Sequence, residues 1–591
     1  MEDMITVSNS DWLYNCGILG LYNVLTHQNK HEDVILTSDG LKFPLSKFEG
    51  FAENYFRYLI DTYEKTFSIY KLVSFKNFLD VHEKGEFKGF DKSSLNRLNS
   101  QIEQTKRYIK SNSYVSGYSL FECKFNPLEK EKALKKILLK KKEGIFDRIE
   151  DIKLQFNLLR EVINFFEEPD TRKYIGGKNA IYSVISNAWT NISFLNRQNT
   201  NSDMYEEFES YFLEPIKEYI EDRDGKVQKS KYKCILCNSQ IKDLNIDLGF
   251  MREIGFDVAR KTSHVWDFNN YAALCPTCRL VYACVPAGFT YLYDRGVFVN
   301  YSMDLRELKR INTRIRDEIL HASENNTVVY RALQKQMDIK SNEKSSFELA
   351  DVQVVRFRRN KDNINYTFSI LSKSMLVTTQ KCTVELERIR NTNFSEGNER
   401  IYIYNEVMKR LFNNSNQFLF INKLIYYKLT MPDTSNYSMN TVGDILKINV
   451  EFLKEAGYMT KGNIDIIGKA KSYGRLLRRS YAMHSGEIAQ SINEESNDGG
   501  NNRNAAYIKK LNNVAYRMLN ALRTGNKYSF IDTLALAHMY SQIEIPGIFT
   551  DYLDDDMKFK NVGYAFITGM LGNDRYMDNN QKANGGGISH E

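Results

Sequence analysis

The chain has 591 residues, 42% apolar and 26% charged. It is long enough for roughly four domains of about 150 residues and too apolar to be disordered, collagenous or wholly coiled-coil. Lys and Arg number 81 against 74 Asp and Glu, and this surplus of +7 permits a polyanionic partner without demanding one.

The stretch from Asn9 to Leu21 reads as a capped apolar helix, in which Gly17 and Gly20 allow another backbone to approach closely. Glu2 and Asp3 stand where a secretory leader carries basic residues, and no apolar run nears the roughly 18 residues of a membrane span. A cytoplasmic protein without a membrane segment is expected. From Phe48 to Lys110, Phe56, Tyr58, Leu59 and Tyr63 recur at helical intervals among charges, which predicts amphipathic helices. The Lys-dense segment 124–142 carries Lys130, Lys132, Lys135, Lys136, Lys140, Lys141 and Lys142 and reads as a solvated helix face.

After a helix beyond Arg160 comes Tyr174 to Asn179, read as a glycine loop. Gly176 and Gly177 would expose backbone N–H groups to a phosphate, and Lys178 would supply charge. It is not a P-loop, because no Gly stands five residues before Gly177 and Asn179 follows Lys178. Leu280 to Tyr293 reads as strand. Val352, Val354 and Phe357 lead into the basic tip Arg358 to Asn363, and Ile364 to Ile370 returns, as a hairpin does. Beyond about residue 436 the pattern is helical. Ile464 to Ala482, Ile508 to Leu522 and Phe530 to Ile543 form amphipathic helices, with Asn504 a cap and Gly525 a stop for the second. Residues 491–504 read as a connection, and the tail from Asn573 as disordered.

Eight cysteines are too few for a disulfide scaffold. Four of them form Cys234-Ile235-Leu236-Cys237 and Cys275-Pro276-Thr277-Cys278, 37 residues apart, which favours metal in a reducing compartment. Two thiolate pairs on tight turns suit tetrahedral Zn²⁺. Four sulfurs close its coordination sphere, so the zinc would be structural. The spacer exceeds the zinc-ribbon interval of about 15 to 20, and chance pairing of buried cysteines is the bland alternative. A deaminase site is excluded, since His264 is followed by Val265 and Trp266 and lacks the required Glu.

Asn270 to Cys278 also resembles the second half of a zinc-stabilised HNH nuclease with His264 as base. Ser263 and Arg279, however, stand where further functional residues are needed. A degenerate, non-catalytic relative is the favoured form of that reading. No Walker A, nucleophile elbow or kinase signature is present, so no catalytic residue is assigned.

Basic side chains recur at Lys471, Arg475, Arg478 and Arg479, placing all four on one helix side, with Ile466, Ile467, Ala470, Tyr473, Leu476 and Leu477 opposite. Such a stripe suits a nucleic-acid backbone or is simply a solvated face. Arg356, Arg358 and Arg359 pose the same choice at the hairpin.

Four features together resemble the CXXC-CXXC family of CRISPR-associated proteins: Asn15-Cys16-Gly17-Ile18-Leu19-Gly20 after Trp12, the paired C-x-x-C motifs, Ser193-Phe194-Leu195-Asn196, and the helical C-terminal region. The resemblance implies a non-enzymatic large subunit of a type I (I-A/I-B-like) Cascade complex. Such a subunit recognises the PAM of duplex DNA, assists R-loop opening with the crRNA and recruits a helicase-nuclease. Its implied partners are crRNA, target double-stranded DNA and the displaced strand, with the backbone, 5′-handle-capping and small subunits of the complex. On this reading Gly176, Gly177, Lys178 and Asn179 would face the PAM, and the Lys471 to Arg479 stripe would face the displaced strand or crRNA. An HNH-like nuclease and a zinc-bearing RNA-binding protein outside CRISPR are the alternatives.

The expected fold is α+β, a large mixed N-terminal domain with a zinc-binding insertion and an all-α C-terminal helical bundle. The expected segments are 1–224, the zinc module 225–300, the hairpin-bearing continuation 301–435, the bundle 436–575 and the tail 576–591.

Overall fold

Helices and several small sheets build an α+β fold in the computed structural model. It describes all residues except 1–3, 29–32, 124, 141–142, 197–201, 223–224, 226, 228, 254–272, 323–326, 344–351, 361–362, 433–434, 460–464, 485–505 and 573–591. The expected connection at 491–504, the Asn504 cap and the tail lie outside the described residues.

The chain divides into two units, one of Met1–Ala322 with Asp351–Phe368 and one of Ser323–Ala350 with Ser369–Glu591. This division differs from the expected segments. The hairpin joins the first unit, residues 369–435 join the second, and 225–300 is no separate module.

In the first unit, Asp11 accepts hydrogen bonds from Leu13 N and Tyr14 N and so starts helix α1 (Trp12–Thr26). Strand β1 (Met4–Ser8) precedes it, and β2 (Ile35–Leu36) and β3 (Gly40–Pro44) follow, in the antiparallel order β1-β3-β2. Helix α2 (Phe51–Tyr63) buries the stripe that its periodicity predicts. Helices α3 (Ile149–Glu167) and α4 (Pro169–Ala180) come next.

Two short ladder strands, β4 (Tyr232–Lys233) and β5 (Gln240–Ile241), frame the first cysteine pair. The second pair begins α5 (Pro276–Ala283), which runs into the single turn α6 (Val285–Gly288). Leu280 to Tyr293 is therefore mostly helix rather than strand, with only β6 (Thr290–Leu292) extended. Its continuous apolarity reflects burial on all sides, which periodicity cannot distinguish from a buried strand. Strand β7 (Arg295–Tyr301) then leads into the amphipathic helix α7 (Leu305–His321), and β8 (Val352–Asn360) and β9 (Asn363–Ile370) complete a sheet of order β6-β7-β8-β9.

What holds this unit together is the crossing of α1 over α5 and α6. A Cβ on Gly17 would overlap the carbonyl oxygen of Val281, one on Gly20 that of Cys284, and one on Gly288 that of Cys16. Three glycines thus bring backbone against backbone, as the sequence indicated for the first two. Helix α2 supplies the missing polar partners: Tyr55, Tyr58 and Tyr63 donate to the carbonyls of Ala283, Ala287 and Phe289 at 3.0, 3.1 and 2.9 Å. Asn23 of α1 also donates to the Ala287 carbonyl at 3.1 Å, so side chains of α1 and α2 together partner buried carbonyls at and beyond the ends of α5 and α6.

The Lys-dense segment is not one helix. A helix covers Pro127–Ala133, and residues 134–140 lie outside helix and strand, where Asn99 brackets Ile137, accepting from its N–H and donating to its carbonyl at 2.9 Å each; Lys141 and Lys142 lie outside the described residues. Leu134 and Ile137 are buried there. Lys130 pairs with Glu161 and Lys136 with Glu103.

In the second unit, helices predominate: α8 (Phe418–Thr430), α9 (Met439–Glu455), α10 (Ile466–His484), α11 (Ala506–Thr524), α12 (Lys527–Ser541) and α13 (Asp556–Leu571). Gly525, at φ 72°, ends α11 as expected. Helices α10 and α13 cross at glycines. A Cβ on Gly474 would overlap the Phe566 carbonyl oxygen, and one on Gly569 that of Lys471. Among the described residues no helix is long and apolar enough to cross a membrane.

Candidate metal centre and nucleic-acid surfaces

The ladder of β4 and β5 folds the first cysteine pair into a tight knuckle. Cys234 N donates to the Ser239 carbonyl at 2.9 Å, Asn238 N donates to the Cys234 carbonyl at 3.1 Å, and Asn238 takes a left-handed φ of 58° to close the turn. The second pair sits at a helix start. Cys275 caps α5, its Sγ accepting from Cys278 N at 3.4 Å, and hydrogen bonding with Cys234 and Cys237, then burial, pushes the Cys275 and Cys278 thiols up. Ile235 N donating to the Ala273 carbonyl at 3.1 Å ties the two halves.

The 37-residue spacer does not keep the pairs apart. The four Sγ atoms lie within 4.8 Å of one another, with Cys234, Cys275 and Cys278 buried and Cys237 exposed, and this group could hold one metal ion. Hydrogen bonding from Cys234, Cys275 and Cys278 pushes the Cys237 thiol down. Tyr14 of α1 reaches the cluster, its hydroxyl 3.2 Å from Cys278 Sγ. Burial, then the Cys278 sulfur, pushes the Tyr14 pKa well up, so the hydroxyl stays protonated beside the sulfur.

Arg279, next in sequence, is most of the way buried. Its guanidinium lies 4.7 Å from the Tyr211 ring centre and also over Phe212 and Phe250, and it donates to the Tyr211 carbonyl at 3.2 Å. It is a packing element. His264 and Ser263, on which nuclease chemistry would depend, lie outside the described residues.

Residues 227–290 match the family described as CRISPR-associated protein (Cas_CXXC_CXXC). That match supports a CRISPR-associated protein. The matched segment holds all four clustered cysteines together with α5 and α6. No curated protein and no solved structure matches the chain.

The glycine loop does not exist. Gly176, Gly177, Lys178 and Asn179 lie in α4 and are buried. Gly176 packs on Ile60 of α2 and Gly177 on Met204. Asn179 Oδ1 accepts from Ser68 N and Ser68 Oγ at 3.0 and 2.6 Å, and its Nδ2 donates to the Ile175 carbonyl at 2.7 Å. Its hydrogen-bonding capacity goes to the fold. Lys178 is 1% exposed, and burial lowers its pKa against the opposing pull of Glu207 and Asp203. Adjacent glycines here mean helix packing, with Pro169 opening the helix at its first turn. Lys178→Met is accordingly expected to leave nucleic-acid affinity unchanged and to hold or raise the melting temperature, because it removes a buried charge. Thermal melts beside a binding titration check both, and weaker binding by the folded variant would contradict this placement.

The hairpin arginines separate. Arg356 is buried within β8, opposite Val297, so it cannot serve as a surface contact. Arg358 is exposed, while Arg359 is half-buried and donates to Asn187 Oδ1 at 3.1 Å. On α10 the stripe divides similarly. Lys471 is half-buried against Gly443, with burial and then Arg475 lowering its pKa. Arg478 donates to the Met570 carbonyl at 3.4 Å near the end of α13, and Arg479 is exposed. Tyr473 and Leu476, expected on the packed face, are outward, 37% and 50% exposed. The close glycine contact at Gly474 turns the helix so that Ile467, Ala470 and Leu477 face inward.

A basic face that the sequence reading missed lies on α7. Arg306, Lys309, Arg310 and Arg314 line a cleft of about 470 Å³ with Tyr22, whose hydroxyl accepts from Lys309 at 2.8 Å. The spacing of three, four and eight was visible as a helix stripe, but interspersed Glu307, Asp317 and Glu318 concealed it.

Proposed function

We propose that this chain is the non-catalytic large subunit of a type I CRISPR effector complex, in which it binds crRNA and target DNA beside the other Cascade subunits. In this role it recognises the PAM, assists R-loop opening and recruits the helicase-nuclease. The observation that carries the reading is the four-cysteine cluster inside the segment that matches the CRISPR-associated family.

The metal we assign is structural Zn²⁺. Four sulfurs bound at about 2.3 Å stand about 3.8 Å apart, close to the 3.6 Å between Cys237 Sγ and Cys275 Sγ. A closed four-sulfur sphere leaves no position for a reacting water, so zinc would supply folding energy and fixed geometry. Guide pairing reads sequence in such complexes, and the protein contributes shape and local charge, which is consistent with basic faces on a nearly neutral chain.

The tagged chain, purified from its native host, is expected to bring down uniform small RNAs sharing one repeat-derived 5′ end, with a few stoichiometric proteins. Heterogeneous RNA or none, read by sequencing and mass spectrometry, would overturn the effector-complex function.

A further inference from the structure

Two adjoining cavities in the first unit share Tyr182 and Arg359, one of about 800 Å³ and one of about 370 Å³. Together they form a groove whose larger part alone reaches the usual size of a ligand site. Among the described residues, the larger cavity is lined by Arg252 and Arg359, and Asp294 lines the smaller one. Two guanidiniums lining one cavity favour an anion.

Local backbone at the groove is unusual in two ways. Tyr182 and Tyr211 come from turns of π-helix, Ile181–Ile185 and Glu209–Leu213, a distortion frequent at functional sites. Asn191 and Tyr293, on the walls, have φ of 58° and 54°, a conformation that costs free energy for residues other than glycine. Trp189 also lines the larger cavity, and among the described residues its buried indole N–H has no hydrogen-bond acceptor.

We propose that this groove, through Tyr182, Asn191, Asn196, Tyr211, Arg252 and Arg359, binds a single strand of nucleic acid. The arginines hold phosphates, and the tyrosines offer faces for bases. The inference rests on the effector-subunit function above and names the strand-binding surface. An extended strand suits the site better than a free nucleotide because two cavities lie side by side, with Tyr182 and Arg359 common to both linings.

The cysteine cluster holds this groove in shape. Arg252 arrives on the segment between the cysteine pairs, which is fixed by Thr190 N to the Phe250 carbonyl at 2.7 Å, Arg252 N to the Ala188 carbonyl at 2.8 Å and a bridge of Met251 to Trp189. Leu274 N, beside Cys275, donates to the Ile246 carbonyl at 2.9 Å on the same segment. Tyr211 is backed by Arg279, next to Cys278.

The test titrates the full chain and its Arg252→Gln/Arg359→Gln variant with fluorescent oligouridine RNA and oligothymidine DNA across a salt series. It also maps photocrosslinks from 4-thiouridine RNA and 5-iododeoxyuridine DNA on the wild type. The variant is expected to bind about tenfold more weakly and to lose about 1.4 from the log–log salt slope, two single-strand phosphate contacts. Crosslinks are expected at Tyr182 or Tyr211, and the stronger of the RNA and DNA arms identifies the strand. Crosslinks confined to other surfaces such as α7, unchanged binding by the folded variant, or no binding of either strand by the wild type would each overturn the groove. The effector-subunit function would then still stand on co-purified uniform RNA.

Discussion

Replacing Cys275 and Cys278 together by serine is expected to release about one zinc ion per chain and to lower the melting temperature by roughly 10 °C or more, from the folding free energy that structural zinc supplies. The effect should be large because these cysteines start α5, and α5 is the element that α1 and α2 grip. Tyr14 bonds Cys278, and Tyr55 and Tyr58 bond carbonyls at its end and just beyond. Loss of the ion would remove the link between the two cysteine pairs and slacken the segment that carries Arg252. Cys123→Ser is the control, since Cys123 lies outside the cluster and should keep the metal. Metal analysis and thermal melts check the prediction. A freshly purified wild type without metal, or a variant that melts unchanged, would refute it.

Gly20→Val and Gly288→Val are each expected to destabilise the first unit by about 3 kcal/mol or more, above the ordinary range for overpacking. What a side chain meets there is backbone, the carbonyls of Cys284 and Cys16, and backbone at a helix crossing cannot swing aside as a flexible side chain can. The two substitutions strike the same crossing, so the double variant should cost less than their sum once the helices have been forced apart. Gly89→Ala is the comparison. Nothing lies within 4 Å of a Cβ placed there, so its stability should be nearly unchanged. Chemical denaturation of the four variants decides the matter, and a Gly20→Val protein as stable as wild type would refute the close crossing.

The two cysteine pairs were legible because metal coordination is a local demand: two intervening residues put two sulfurs on one turn regardless of what surrounds them. The α1 glycines and the β8–β9 hairpin were legible for related reasons, being written in spacing and alternation. The misread elements share a different cause. Gly176-Gly177 has the local signature of a turn, and only Ile60 and Met204, distant in sequence, make it a packed helix face. Leu280 to Tyr293 is apolar throughout, and no periodicity survives where every side is covered. The Lys471 to Arg479 stripe was assigned by helical angle alone, whereas the actual rotation of α10 follows from the glycine contact with α13.

The sequence by itself therefore determined the α+β class, the helical C-terminal region, the two cysteine pairs and the glycine-mediated approach to α1, because each rests on chemistry within a few residues. Only the tertiary structure decided that both cysteine pairs form one cluster and that Lys178 and Arg356 are buried. The groove of Tyr182, Arg252 and Arg359 likewise exists only after folding, because its walls come from segments up to 177 residues apart in the chain. Residues so distant are brought together by packing free energy, and that term has no local signature.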